Sequence, residues 1–161
     1  MKRVAAAITL IAWSLWFGGT ITLFVSVVAL FRRFPKAAGT QAVETAPVLF
    51  NAFGRVQLVL AAVALVATFV WRLSSKTRLL TAIFTLLALA SLGAIALGAF
   101  VVPRMNALRS AGETTGPEWG KLHGVSSMIY VTEAGILLVI GLLILSAVYA
   151  EGKRAGIATP T

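Results

Sequence analysis

No charged residue interrupts the chain from Val4 to Phe31, and basic groups stand at both ends of that run, Lys2 and Arg3 before it and Arg32 and Arg33 after it. A run this long exceeds the roughly 20 residues needed to cross the hydrocarbon of a bilayer. It also far exceeds the core of about 7–15 apolar residues in a cleavable signal peptide, so it reads as an uncleaved first span near 4–31. Leu79 to Val102 is equally free of charge and gives a span near 79–102. Val56 to Trp71 is too short to cross alone, so the second span has to begin near Pro47, with the proline in its first turn, and run 47–71 with Arg55 inside it. The last span, 118–149, follows Pro117 and Glu118, a proline and an acid placed as at a helix start.

The expected fold is therefore all-α: a polytopic membrane protein, a four-transmembrane-helix bundle over 1–150 with both termini on the same side. A polar tail, 151–161, is expected to be disordered. Composition agrees, since 59% of the 161 residues are hydrophobic and 12% charged, against about 25% charged in soluble domains. The 14 Lys and Arg give a net charge of +9, but they sit in small groups at the ends of apolar runs, where lipid headgroups lie. A nucleic-acid surface would cluster them on one soluble face, so no nucleic-acid partner is expected. With no cysteine, disulfides, thiolate metal sites and thiol catalysis are excluded.

Among the connections, Arg32 to Ala46 contains Pro35 and Gly39 and predicts a short interfacial helix from about Lys36, Arg72 to Arg78 is a tight basic turn, and Pro103 predicts an end or kink of the third helix. Lys2, Arg3, Arg72, Lys76, Arg78, Lys153 and Arg154 fall on the terminal side, and Arg32, Arg33, Lys36, Arg104, Arg109 and Lys121 on the other, which favours termini inside. Ser14, Gly18, Thr22 and Ser26 recur every fourth residue, as do Ala90, Ala94 and Gly98, the spacing of helices that approach closely.

Chemistry is concentrated where the last loop enters the fourth span. His123, Ser126, Ser127, Tyr130 and Glu133 share one helical face, with Ile136, Val139 or Leu143 expected to continue it and Leu137 and Val148 to face lipid. A carboxylate at that depth requires a partner. Arg55 precedes Trp71 by as many residues as Glu133 precedes Tyr149, about 24 Å in each helix at 1.5 Å per residue. The two are level, and an Arg55–Glu133 ion pair is the expectation, with Thr20 at the same depth in the first span and Asn51 one turn from Arg55 facing the same cavity. Such a pair either fixes which helices touch or forms a site for an ion. His123, near the interface, reads first as a loop or headgroup hydrogen-bonding residue, and Trp13, Trp16, Trp71 and Trp119 as packing or interfacial anchors.

Several landmarks resemble the transmembrane protein 205-like family, small four-helix membrane proteins whose bacterial members are catalogued mainly as a domain of unknown function. They are Leu15-Trp16-Phe17-Gly18-Gly19, Phe31 to Gly39 (FRRFPKAAG), Pro103-Arg104-Met105 with Leu108-Arg109, and Trp119 to Ser126 (WGKLHGVS), in that order between Leu15 and Gly135. The last is similar to the family's aromatic-x-x-Leu-His-x-x-Ser. The family carries asparagine seven residues after the histidine, where this chain has Tyr130. The resemblance implies the four-helix membrane fold and a multi-pass place in a bacterial inner membrane; it brings no established enzymatic activity, and the family's best-known member is associated with drug resistance.

The chain contains no Ser-His-Asp arrangement, carboxylate pair or glycine-rich phosphate loop, so an enzyme is not expected. The first functional expectation is a membrane protein whose inter-helix cavity, lined by Arg55, Glu133, Tyr130, His123, Asn51, Thr20 and Ser126, binds or passes a small solute or ion. The second is an accessory protein packed against lipid, a second copy or a membrane partner. A metal- or haem-binding protein ranks third, because one histidine without cysteine offers few ligands, and no metal or cofactor is expected.

Overall fold

The computed structural model describes residues 1–33 and 39–157, with the side chains of all of these except 39–44, 154, 155 and 157. Helix α1 is Lys2–Arg33, α2 Gly39–Ser74, α3 Arg78–Ala96, α4 Val102–Ser110 and α5 Pro117–Ile157. A π-helical turn, Leu97–Val101, joins α3 to α4. Four helical runs, Lys2–Arg33, Thr45–Ser74, Arg78–Ser110 and Pro117–Lys153, are long and apolar enough to cross a membrane.

The start of α1 and the end of α5 lie at one end of the bundle. Glu151 near the end of α5 bridges Lys2 at 3.1 Å and accepts a hydrogen bond from the indole of Trp71 at 3.1 Å, so the α2–α3 turn shares that end. The turn closes with Thr77, whose side-chain oxygen accepts the N–H of Leu80 as an N-cap. The opposite, connection end holds the C-terminus of α1, the start of α2, α4 and the start of α5.

The helix boundaries differ from the sequence expectation in three places. Among the described residues no separate interfacial helix precedes the second span: from Gly39 onward α2 is continuous through Pro47, and Lys36 lies outside the described residues. The third helix does not stop at Pro103. A proline lacks the N–H that would bond back one turn, and the wider π turn just before it absorbs the mismatch so that α4 carries on to Ser110. Residues 151–157 are helical because α5 continues to Ile157, with Glu151 tied down as above.

The core is built from one face of each helix. On α1 this face is Ala5, Thr9, Ala12, Trp16, Thr20 and Leu23; its Ala5, Ala12 and Trp16 belong to one core cluster with Ala61, Ala64 and Trp71 of α2, Leu80, Ile83 and Leu87 of α3, and Leu137, Ile140 and Ile144 of α5. Leu137 is therefore a core residue and Val139 is exposed, the reverse of the expectation, because seven residues below Tyr130 the core face carries on through Leu137. Ala90 and Ala94 are buried as their spacing implied, while Gly98 of the same repeat and Ser14, Gly18, Thr22 and Ser26 face outward. Buried hydroxyls are satisfied within their own helices, Thr20 by the Trp16 carbonyl and Ser91 by that of Leu87, while Thr9 also meets the Thr68 hydroxyl at 3.2 Å.

α1 and α5 approach closely at Gly141. The indole of Trp13 lies where a β-carbon at that position would be, and its Nε1 donates to the Leu137 carbonyl at 2.6 Å. Glycine there lets an aromatic ring lie on a helix backbone, the membrane-protein use of small residues.

Candidate functional site

Glu133 is buried, 2% exposed, yet its partner is not Arg55. Oε1 accepts the Trp16 indole N–H at 2.8 Å and the Gln57 amide N–H at 2.7 Å, and the same amide reaches Oε2 at 2.8 Å. Three helices thus meet on one carboxyl group through neutral donors. Arg55 stands two residues before Gln57, which at 100° per residue turns it to the far side of α2; it is exposed, and among the described residues it forms no ion pair. Depth placed Arg55 level with Glu133, but depth says nothing of azimuth. Its long stem can run toward the connection-end headgroups from the lipid face.

Above this layer, toward the connection end, a cavity of about 590 Å³ opens between α1, α2, α4 and α5. Tyr130, 5% exposed, forms its floor, held edge-on by Phe24 (5.9 Å between ring centres) and against Phe50 (5.4 Å). Leu97 and Val101 of the π turn pack beneath the same ring. Of the residues expected from sequence, His123, Tyr130, Asn51 and Ser126 line this cavity, whereas Arg55, Glu133 and Thr20 do not. His123 is exposed at the mouth, and its carbonyl accepts the hydroxyls of both Ser126 and Ser127.

Sequence reasoning missed the cavity's cationic wall. α4 delivers Met105, Asn106 and Arg109 to it, because the π turn lets the third span run on past Pro103. α4 ends in a Schellman turn: Glu113 N–H bonds to the Leu108 carbonyl at 2.9 Å and Gly112 N–H to that of Arg109 at 3.0 Å, with Gly112 at φ 77°. The guanidinium of Arg109 lies 5.3 Å from the ring centre of Trp119 and donates from Nη1 to Asn106 at 3.4 Å. Its Nε is buried and has no hydrogen-bond partner among the described residues. Beside the cavity, Arg104 grips Glu118 through two bonds, 2.6 and 3.0 Å, and fixes the start of α5 against α4.

The described residues contain no group of three His, Cys, Asp or Glu side chains that could hold a metal ion. Four apolar helices define a multi-pass helical membrane protein, with neutral donors around Glu133 and an open, aromatic-lined cavity above it. The chain belongs to the family described as a domain of unknown function (DUF4149), whose model matches residues 11–114. That match runs from Ile11 within α1 through α4 and stops before α5, so the cavity's α5 wall lies beyond it. No curated protein and no solved structure matches the chain.

Proposed function

We propose that this protein is a non-enzymatic membrane protein that binds a small, largely apolar solute in the cavity between Tyr130 and Trp119. The supporting observation is that cavity, about 590 Å³, within the usual size of small-molecule sites and lined mainly by aromatic and aliphatic groups with a few convergent polar ones. Binding is favoured over passage because the bundle beneath Tyr130 is filled by Trp16, Gln57 and Glu133, whose polar groups bond to one another. A place among the transmembrane protein 205-like proteins of bacterial inner membranes is part of the same proposal, supported by the four spans and by the motifs in α1, α4 and α5.

An accessory role is the second reading, favoured by the outward stripe of Ser14, Gly18 and Thr22, which lines a shallow groove with Leu49 and Phe53. Native mass spectrometry of protein released from membranes separates the two. Wild type should retain a small-molecule adduct that Ser127→Trp, which fills the cavity, does not. A bare wild-type monomer sinks the binding role, and a bare but stable dimer favours the accessory one.

A further inference from the structure

We infer that the cavity's ligand is an amphiphilic anion, with a phosphate or carboxylate head on Arg109 and an apolar chain along Phe24, Val27 and Phe50; this deepens the binding role proposed above and rests on it. The cavity wall is sorted by chemistry. Phe24, Val27 and Phe31 of α1 and Phe50 of α2 form a side on which Asn51 is the one polar lining group, while α4 and the start of α5 bring Arg109, Asn106 and His123 to the other. No described Asp or Glu lines the cavity, and Glu118, close by on α5, is already taken by Arg104.

Arg109 is held for this task rather than merely parked. Trp119 covers one face of its guanidinium and Asn106 takes Nη1, which leaves the Nε edge as the donor side without a described partner. Nε with Nη2 is the fork that receives two oxygens of a carboxylate or phosphate side by side, and because Nε is buried an anion engages it once the guanidinium turns that edge toward the cavity. A buried guanidinium N–H without an acceptor is unfavourable and rare in native proteins, and an anion is the complement that removes the penalty. The mouth at the connection end, where Arg32 and Arg33 also stand at the end of α1, puts the head at headgroup level and lets the chain run down to Tyr130.

The test measures binding of three probes to protein in phosphatidylcholine nanodiscs, corrected for empty discs: dodecyl phosphate, uncharged dodecanol, and inorganic phosphate. Wild type should prefer dodecyl phosphate over dodecanol by about tenfold or more. Arg109→Gln should lose that preference while keeping the helical circular dichroism of wild type, which certifies its fold, and Arg109→Lys, with charge but no fork, should keep only part of it. A preference that survives Arg109→Gln overturns the inference, as does displacement of dodecyl phosphate by an equal concentration of inorganic phosphate, which would make the site one for free anions. If dodecanol binds wild type but not Ser127→Trp and the phosphate adds nothing, the cavity stands and the anion falls. If Ser127→Trp changes neither affinity, or no probe binds, the cavity itself is not the site and the binding role fails with it.

Discussion

Glu133→Leu should destabilise the bundle by about 3–5 kcal/mol, since it strands the Trp16 indole and the Gln57 amide away from water at roughly 1–3 kcal/mol for each unpaired group. Both donors are essentially inaccessible, Trp16 at 0% and Gln57 at 1% exposure, so no solvent replaces the lost oxygens. Glu133→Gln keeps an acceptor for one of them and should lose only about 1–2 kcal/mol. Gln57→Leu combined with Glu133→Leu removes two partners together, so the pair should recover part of the loss, with a coupling energy of about 0.5–3 kcal/mol. Arg55→Leu, on the lipid face, should change stability by no more than about 0.5 kcal/mol and show no coupling to Glu133. Reversible unfolding in mixed micelles of wild type, Glu133→Gln, the three single leucine variants and the two double leucine variants closes both cycles; an Arg55–Glu133 coupling as large as that of Gln57–Glu133 would contradict the geometry.

Gly141→Leu should be the most damaging single enlargement in α5. A side chain there must displace the Trp13 indole, and with it the bond from Trp13 to the Leu137 carbonyl. Overpacking costs about 1–3 kcal/mol, and an indole N–H left without an acceptor adds about 1 kcal/mol or more. Gly135, on the same helix, has nothing within 4 Å of a built β-carbon, so Gly135→Leu is the matched control and should leave stability nearly unchanged in the same unfolding assay. Equal effects at the two glycines would mean that α1 and α5 do not meet at Trp13.

The membrane fold was legible because hydrocarbon imposes a length that few other constraints imitate: the uninterrupted runs at Val4 and Leu79 leave little choice. The cavity face of α5 was legible too, since His123, Ser126 and Tyr130 obey helical spacing and all line the cavity. What depth could not supply was rotation. Arg55 and Glu133 are level, yet Gln57 points inward and Arg55 away, and the signal in hand was Gln57 itself, a polar residue in an apolar span whose two-residue offset from Arg55 forbids both from facing the core. In the sequence the tryptophans read as packing or interfacial anchors, whereas Trp16 and Trp71 each spend their N–H on a carboxylate. In the sequence Arg109 enters only through sidedness and the landmark Leu108-Arg109, because Pro103 reads as an end or kink, and the π turn that carries the helix past it leaves no pattern in the residues.

An experimental density map of the protein in lipid nanodiscs tests the central claim, that the connection-end cavity is a ligand site closed below by Tyr130. An elongated non-protein density should lie between Phe24 and Trp119, its compact end against the Nε edge of Arg109, with continuous protein density around Trp16, Gln57 and Glu133. A cavity closed by its own side chains, with Arg109 turned out to solvent, would contradict it.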